Sequence, residues 1–335
     1  SMVANDYIAT GDVGFSQAYV DNIQKVTAEQ VRDAARKYLM PERLATITML
    51  PEAAASTQPA VTATAGHLEP VREIKLDNGL RVLIRRDPTT PLVAIHAYAL
   101  GGVTFEEAKT NGLSRLAAEL VSRGTKTRSA QDIAGFFDAR GGTFESSSGN
   151  NAILFQAEVL KDDFADTLGV VADVIQNPAF AKEELELIRP RQLDAIQQIG
   201  ESWRTELFSY ARHRFYHDSP YRFDEVGSPE VVAKADREQV ADFYHRLVTA
   251  PDMVVAIYGD VDPTLAESLV RRHFASMEQG KAKVPEVPSQ TPAEPRLYIL
   301  EKSPERKAAG VAIGFAGMTV SNKKDRAEMA VLDTV

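Results

Sequence analysis

Cysteine is absent from the 335-residue chain. That removes thiol nucleophiles, cysteine-ligated zinc and disulfides together. It fits a reducing compartment and equally a periplasmic protein that does without disulfides. No stretch reaches the ~18 apolar residues of a membrane-spanning helix, so no membrane span is expected. No basic segment followed by an apolar run opens the chain, and no signal peptide is visible. The opening Ser-Met reads as a cloning remnant, and the sequence is expected to be a piece of a longer chain. Positive charge is also short, with 38 Lys and Arg against 47 Asp and Glu, net −9. Neutralising phosphates needs a basic face, so no nucleic-acid partner is expected.

The length suits about two domains of ~150 residues each. Residues 17–39 read as helical and Pro41 ends that pattern. LATITML (44–50) follows as a strand, and 51–70, small and Thr/Ala/Pro-rich, has the composition of a linker. In EIKLDNGLRVLIRRD (73–87) two apolar runs flank Asp77-Asn78-Gly79, a hairpin signal. LVAIHAYALGG (92–102) reads as a third, buried strand. GLSRLAAELVSRGT (112–125) reads as a helix with Leu113, Leu116, Leu120 and Val121 at helical spacing and Ser114 as a candidate cap. A helix near 129–139, the strands of 142–160, and helical patterns over 162–176, 181–216 and 231–248 come next. A strand at 253–261, a helix at 263–277, a charged Pro-rich linker (278–296) and a strand RLYILE (296–301) complete the reading. Hairpins alternating with helices, rather than strict βαβ units, favour an α+β fold.

The chain also repeats itself. VTAEQVRDAARKYLMPERLATITML (26–50) resembles ADREQVADFYHRLVTAPDMVVAIYG (235–259), with Glu29, Gln30, Val31 and Asp33 matching Glu238, Gln239, Val240 and Asp242. In both, a helix leads through a proline into an apolar strand, the mark of tandem units.

Few residues carry obvious chemistry. Of six histidines, only His213 and His217 have the i, i+4 spacing of a metal pair, but no glutamate lies between them and Asp218-Ser219-Pro220 follows directly. A helix C-terminus that favours histidine through its dipole is the simpler reading. His96, in an apolar run, reads as a core or interface side chain. Gly101-Gly102 and Gly141-Gly142 fit no phosphate-binding pattern, and no G-x-S-x-G elbow anchors a serine hydrolase. EELELIRPRQLDAIQQ (183–198) reads mostly as a solvated helix face, which Pro190 is expected to kink.

The order of parts is more specific than any one motif. LDNGLRVLIRRDP, a strand ending in GG, GLSRLAAELVSRGT, a helix leading to ARGGTFESSSG, then HDSPY (217–221) and MVVAIYGDVDP (253–263) together resemble the insulinase/pitrilysin family of zinc metallopeptidases. The resemblance implies tandem two-layer α+β units, a sheet packed on helices, with paired units facing each other across an enclosed chamber. It divides the chain into the C-terminal tail of a preceding unit (1–50), a linker (51–70), a complete unit (71–278), a second linker (279–295) and the start of a further unit (296–335). One half of such a protein carries H-x-x-E-H on a helix. Its histidines hold zinc, its glutamate activates water, and a glutamate from a later helix completes the site. Anchored on Gly112 and Gly124-Thr125, the first histidine position here is Arg115, the glutamate position Ala118 and the second histidine position Glu119. On the later helix, Ile188 and Ala195 fall at the glutamate positions. No ligand set survives, so no metal and no catalytic residue is expected in this unit; zinc is expected in the other half of the parent protein.

By the same resemblance, units without the motif form the other wall of the chamber and hold peptide substrate. The strand after Gly141-Gly142 corresponds to an edge that pairs with extended peptide, making Phe144, Glu145, Ser146 and Ser147 the candidate substrate-binding residues. The expected partners are a peptide substrate and the zinc-bearing half of the same chain or of a partner subunit. A structural or assembly protein that keeps the fold without proteolysis is the alternative. The bacterial periplasm is the expected compartment, with the cytoplasm as the alternative.

Overall fold

The computed structural model describes residues 69–280, 282–287, 297–300 and 310–314, together with Thr27 and Glu29. The chain divides into two compact units, Ser1–Ala65 and Gly66–Val335. The expected helix at 17–39, strand at 44–50 and linker at 51–70, and with them the first copy of the repeat, lie outside the described residues apart from those two positions and Glu69–Pro70.

The second unit is built on a six-stranded mixed sheet. Strand β1 (Arg72–Lys75) and β2 (Arg81–Arg86) form the expected hairpin, closed by Gly79 at φ 94°, a left-handed conformation glycine adopts freely. Next come β3 (Leu92–Leu100), β4 (Thr143–Ser148), β5 (Ala152–Leu160) and β6 (Met253–Gly259). The strand order is β1-β2-β6-β3-β5-β4, with β2 and β6 parallel and every other pair antiparallel. Strands β1 and β4 are therefore the edges.

Alternate side chains face the core from each strand: Val82 and Ile84, Val93, Ile95 and Ala97, Phe155 and Ala157, Val255 and Ile257 are all nearly solvent-free. The opposite face is half open, with Tyr98 and Tyr258 exposed. The expectation of a buried third strand thus holds for one face only, because a sheet packed on one side shows the alternation of period two.

Eight α-helices accompany the sheet among the described residues: α1 (Leu113–Val121), α2 (Ala130–Asp138), α3 (Phe164–Gln176), α4 (Lys182–Glu201), α5 (Trp203–Phe215), α6 (Pro229–Lys234), α7 (Arg237–Leu247) and α8 (Pro263–Phe274). Helix α1 packs on β4 and against α7, whose Tyr244 ring meets Phe155 of β5 edge to face. Asn78, in the first hairpin turn, donates to the carbonyl of Phe274 at 2.7 Å and so caps the end of α8.

Three expectations are corrected. The pattern at 181–216 is two helices, because Ser202 is extended (φ −101°, ψ 121°) and lies two residues after Gly200, a poor helix former; the first of them contains Pro190. The pattern at 231–248 is also two helices. Asp236 accepts from the Gln239 N–H at 2.8 Å while Gln239 reaches back to the Asp236 N–H at 3.0 Å, and this capping box starts a new helix. Leu297–Leu300 form no strand, since no described segment offers them ladder partners.

Candidate functional site

The site is built around α1 and begins with the turn that launches it. Gly112 has φ 108°, and a Cβ there would meet Val232 Cγ2 at 2.7 Å and the Gly227 backbone at 3.0 Å. Only glycine allows this approach without strain. Just upstream, Glu106 is 3% exposed and its carboxylate accepts from the Ser114 N–H and from Asn111 Nδ2, each at 2.8 Å. The helix N-terminus is thereby satisfied by a buried acid, which its dipole favours. Burial pushes the Glu106 carboxyl above its usual range, opposed by hydrogen bonds from Asn111 and the N–H groups of Ser114 and Gly112.

Ser114 is not the cap expected of it. Its hydroxyl accepts from the Gly102 N–H at 2.8 Å and shares a 2.7 Å hydrogen bond with Ser148 of β4. It sits inside the helix, where Glu106 already serves the free N–H groups.

The network extends outward. Asn111 also donates to the Asp224 carbonyl at 3.1 Å, and Gln192 donates to the carbonyls of Gly112 and Val226. The Asp224 carboxylate takes a hydrogen bond from Ser209 at 2.7 Å and lies 3.2 Å from His213 Nε2, both on α5. Burial would raise this acid, but the bonds from His213 and Ser209 and the charges of His213 and Arg212 hold it below the usual range. Asn111, Ser209, His213 and Asp224 line an open cleft of about 600 Å³. The two spaced histidines therefore do not converge: His213 pairs with Asp224, while His217 lies beyond the helix and pairs with Asp218. No group of three or more potential metal ligands forms among the described residues. His96 lies half-buried on the open sheet face, edge-on to Tyr98.

Of the three α1 positions that the resemblance aligns with a zinc motif, Arg115 and Glu119 stand on the part-exposed stripe of the helix and Ala118 faces the core. Arg115 Nε donates to Glu119 Oε1 at 2.9 Å, and their side chains are 35% and 31% exposed. Positions one turn apart converge here as two metal ligands would, but on each other. Ala118 and Ile188 are buried hydrocarbon, and Ala195 is half-buried. This donor set does not fit zinc. It offers one carboxylate, already engaged, beside a fixed positive charge that would repel the ion.

Strand β4 lies along the same helix. Ser146 Oγ donates to the Ala118 carbonyl at 2.6 Å, and Phe144 stacks on Phe137 of α2. The Gly149 N–H bonds the Ala152 carbonyl, which fixes the parity of the ladder. Hydrogen-bonded pairs alternate in an antiparallel ladder, so Thr143, Glu145 and Ser147 direct their backbone groups to β5. Phe144, Ser146 and Ser148 direct theirs to the open edge. Of the four expected contact residues, Phe144 and Ser146 thus carry outward backbone, and Glu145 and Ser147 present exposed side chains. Ser148, Glu106, Asn111 and Gln192 were missed by sequence reasoning. The Asn-Gly pair ahead of an apolar helix was the one local sign of that buried start.

The fold is shared with solved proteins. It matches the peptidase M16 inactive domain from Pseudomonas fluorescens with a TM-score of 0.62 at 18% identity, over 67% of this chain and 55% of that one. The periplasmic protease PqqL from Escherichia coli matches with a TM-score of 0.59 at 18% identity, over 65% of this chain and 25% of that one. The α+β fold is accordingly shared with both of these proteins. In sequence, an uncharacterized zinc protease of Rickettsia felis is 28% identical over 207 residues, 62% of this chain and 50% of that protein. The family model for insulinase (peptidase family M16) matches residues 81–229, and that for the peptidase M16 inactive domain matches residues 234–335. The chain belongs to the insulinase/pitrilysin family of zinc metallopeptidases. It spans about half the length of the curated relatives it matches.

Proposed function

We propose that this unit is the non-catalytic half of a zinc metalloendopeptidase, holding or enclosing extended peptides while the zinc-bearing half of the same chain or of a partner subunit cleaves them. One observation carries the reading: β4 is a sheet edge whose outward backbone groups, at Phe144, Ser146 and Ser148, run beside the helix that corresponds to the family's zinc helix. A peptide added there gains main-chain hydrogen bonds with little demand on its side chains. The replacement of the motif by Arg115, Ala118 and Glu119 supports an inactive unit without zinc of its own. The proposed parent has further family units on either side of 71–278, joined through 51–70 and 279–295. The bacterial periplasm is the proposed compartment, on the likeness of fold to a protease named as periplasmic.

The test uses two substitutions at one residue. Ser146→Pro removes an N–H that faces outward, leaving the bonds to β5 in place, whereas Ser146→Ala loses only the side-chain bond to Ala118. Binding of a fluorescein-labelled Thr/Val-rich decapeptide, followed by anisotropy, is expected to fall at least tenfold in the first variant and to change little in the second. Equal binding by both and by the unaltered chain discards the β4 edge as the peptide site. Stoichiometric zinc in the purified chain, removable by a chelator, overturns the assignment as the metal-free half.

A further inference from the structure

We infer that the Arg115–Glu119 pair is a reader of the peptide backbone, a neutral donor–acceptor clamp where the family's catalytic members carry a metal; this rests on the reading of β4 as a peptide-binding edge. Three observations place it there. Ser114, through its hydroxyl, and Ala118, through its carbonyl, hydrogen-bond to Ser148 and Ser146 of β4. Arg115 and Glu119 follow each of them by one residue, about 100° further round the helix. The remaining sides of α1 are packed on α4 and on α7, the latter standing over β5, and Arg115 and Glu119 are left part-exposed on the stripe next to the contacts with β4. A strand added to β4 lies ~4.8 Å outside it, within reach of an arginine side chain on that flank.

The chemistry of the pair selects its ligand. Arg115 spends only Nε on Glu119, and its two terminal nitrogens make no hydrogen bond to any described residue. Glu119 likewise spends one oxygen. The clamp therefore offers N–H donors beside a carboxylate acceptor, with no net charge. A peptide backbone supplies the complement, a carbonyl to accept and an N–H to donate, also without net charge. An acidic side chain would gain from Arg115 and lose to Glu119, and a basic one the reverse. Ala118, between them in sequence, has no group to activate water, so a carbonyl held here is held without being attacked.

The experiment measures the affinity of this chain for the labelled decapeptide with a central Asn, and for its Asp and Lys versions. Arg115→Ala is expected to weaken binding of the Asn peptide roughly tenfold, as for a lost hydrogen bond to a charged group, and Glu119→Gln a few-fold. The three peptides are expected to bind within about threefold of one another, with weak dependence on salt. Unchanged affinity in both variants, while Ser146→Pro loses binding, sinks the clamp and leaves the β4 reading standing. A preference above tenfold for the Asp peptide also sinks it, because Arg115 would then act as a plain charge. Failure of the unaltered chain to bind any of the three overturns clamp and edge together. Arg115→Lys, which keeps the charge and loses the fork of donors, is expected to behave like the alanine variant, whereas full recovery with lysine contradicts backbone reading.

Discussion

The two halves of helix α1 have been treated differently. The turn that launches it is buried, with Glu106, Asn111, Gly112 and Ser114 tied to one another and to the turn at Asp224–Ser228. Its part-exposed stripe carries only the Arg115–Glu119 salt bridge, at positions that the resemblance aligns with metal ligands. Changing the Arg115–Glu119 pair removes one bond at the surface; losing the buried turn leaves polar groups stranded in the core. The physics of folding protects the first region and leaves the second free to change.

Three measurements would break or sharpen this contrast. The largest effect is expected at Glu106. Glu106→Ala strands the Ser114 N–H and the Asn111 amide and should lower the unfolding free energy by about 3–5 kcal/mol in urea denaturation. A loss no larger than that of a surface residue would erase the difference between the two regions. A smaller, pH-dependent effect is expected at Asp224. Its carboxyl is held below the range it has in the unfolded chain, so its contribution is present above the unfolded value of ~3.9 and is lost as pH falls through the lower folded value. The stability gap between the native chain and Asp224→Asn should therefore close as pH falls below the unfolded value; a gap that widens on acidification reverses the sign. The smallest effect is expected at Arg115. Arg115→Ala breaks a partly exposed i, i+4 pair and should shift stability by no more than ~0.5 kcal/mol in the same denaturation experiment.

Local sequence announced those parts of the fold that local sequence decides. Asn78-Gly79 closed the hairpin as expected, and the apolar spacing of Leu113, Leu116 and Leu120 marked α1. Where two local signals competed, the longer pattern misled. The apolar period ran through Asp236, although Asp-x-x-Gln there carries its own cap, and through Ser202. The site was legible as positions on a helix and on a strand, but not as geometry. Nothing local says that β6 inserts between β2 and β3, which leaves β4 at the edge, nor that the Gly149–Ala152 pair turns the backbone of Ser146, rather than that of Ser147, toward solvent. Glu106 escaped notice because its partners face it across a loop whose path only the folded chain defines.

The position of β6 has a consequence for how the protein is made. The first hairpin joins the rest of the sheet solely through β6, the last strand of the six to leave the ribosome. At roughly 5–20 residues per second, the nascent β1–β2 ribbon waits seconds to tens of seconds for its neighbour. During that time it exposes the edge of β2 that β6 will cover. A polypeptide released before Met253 would hold two separate partial sheets, each with an added bare edge inviting misassembly. Pulse-labelled truncations of increasing length should accordingly remain protease-sensitive until β6 and the helix after it have emerged, and then become resistant in one step.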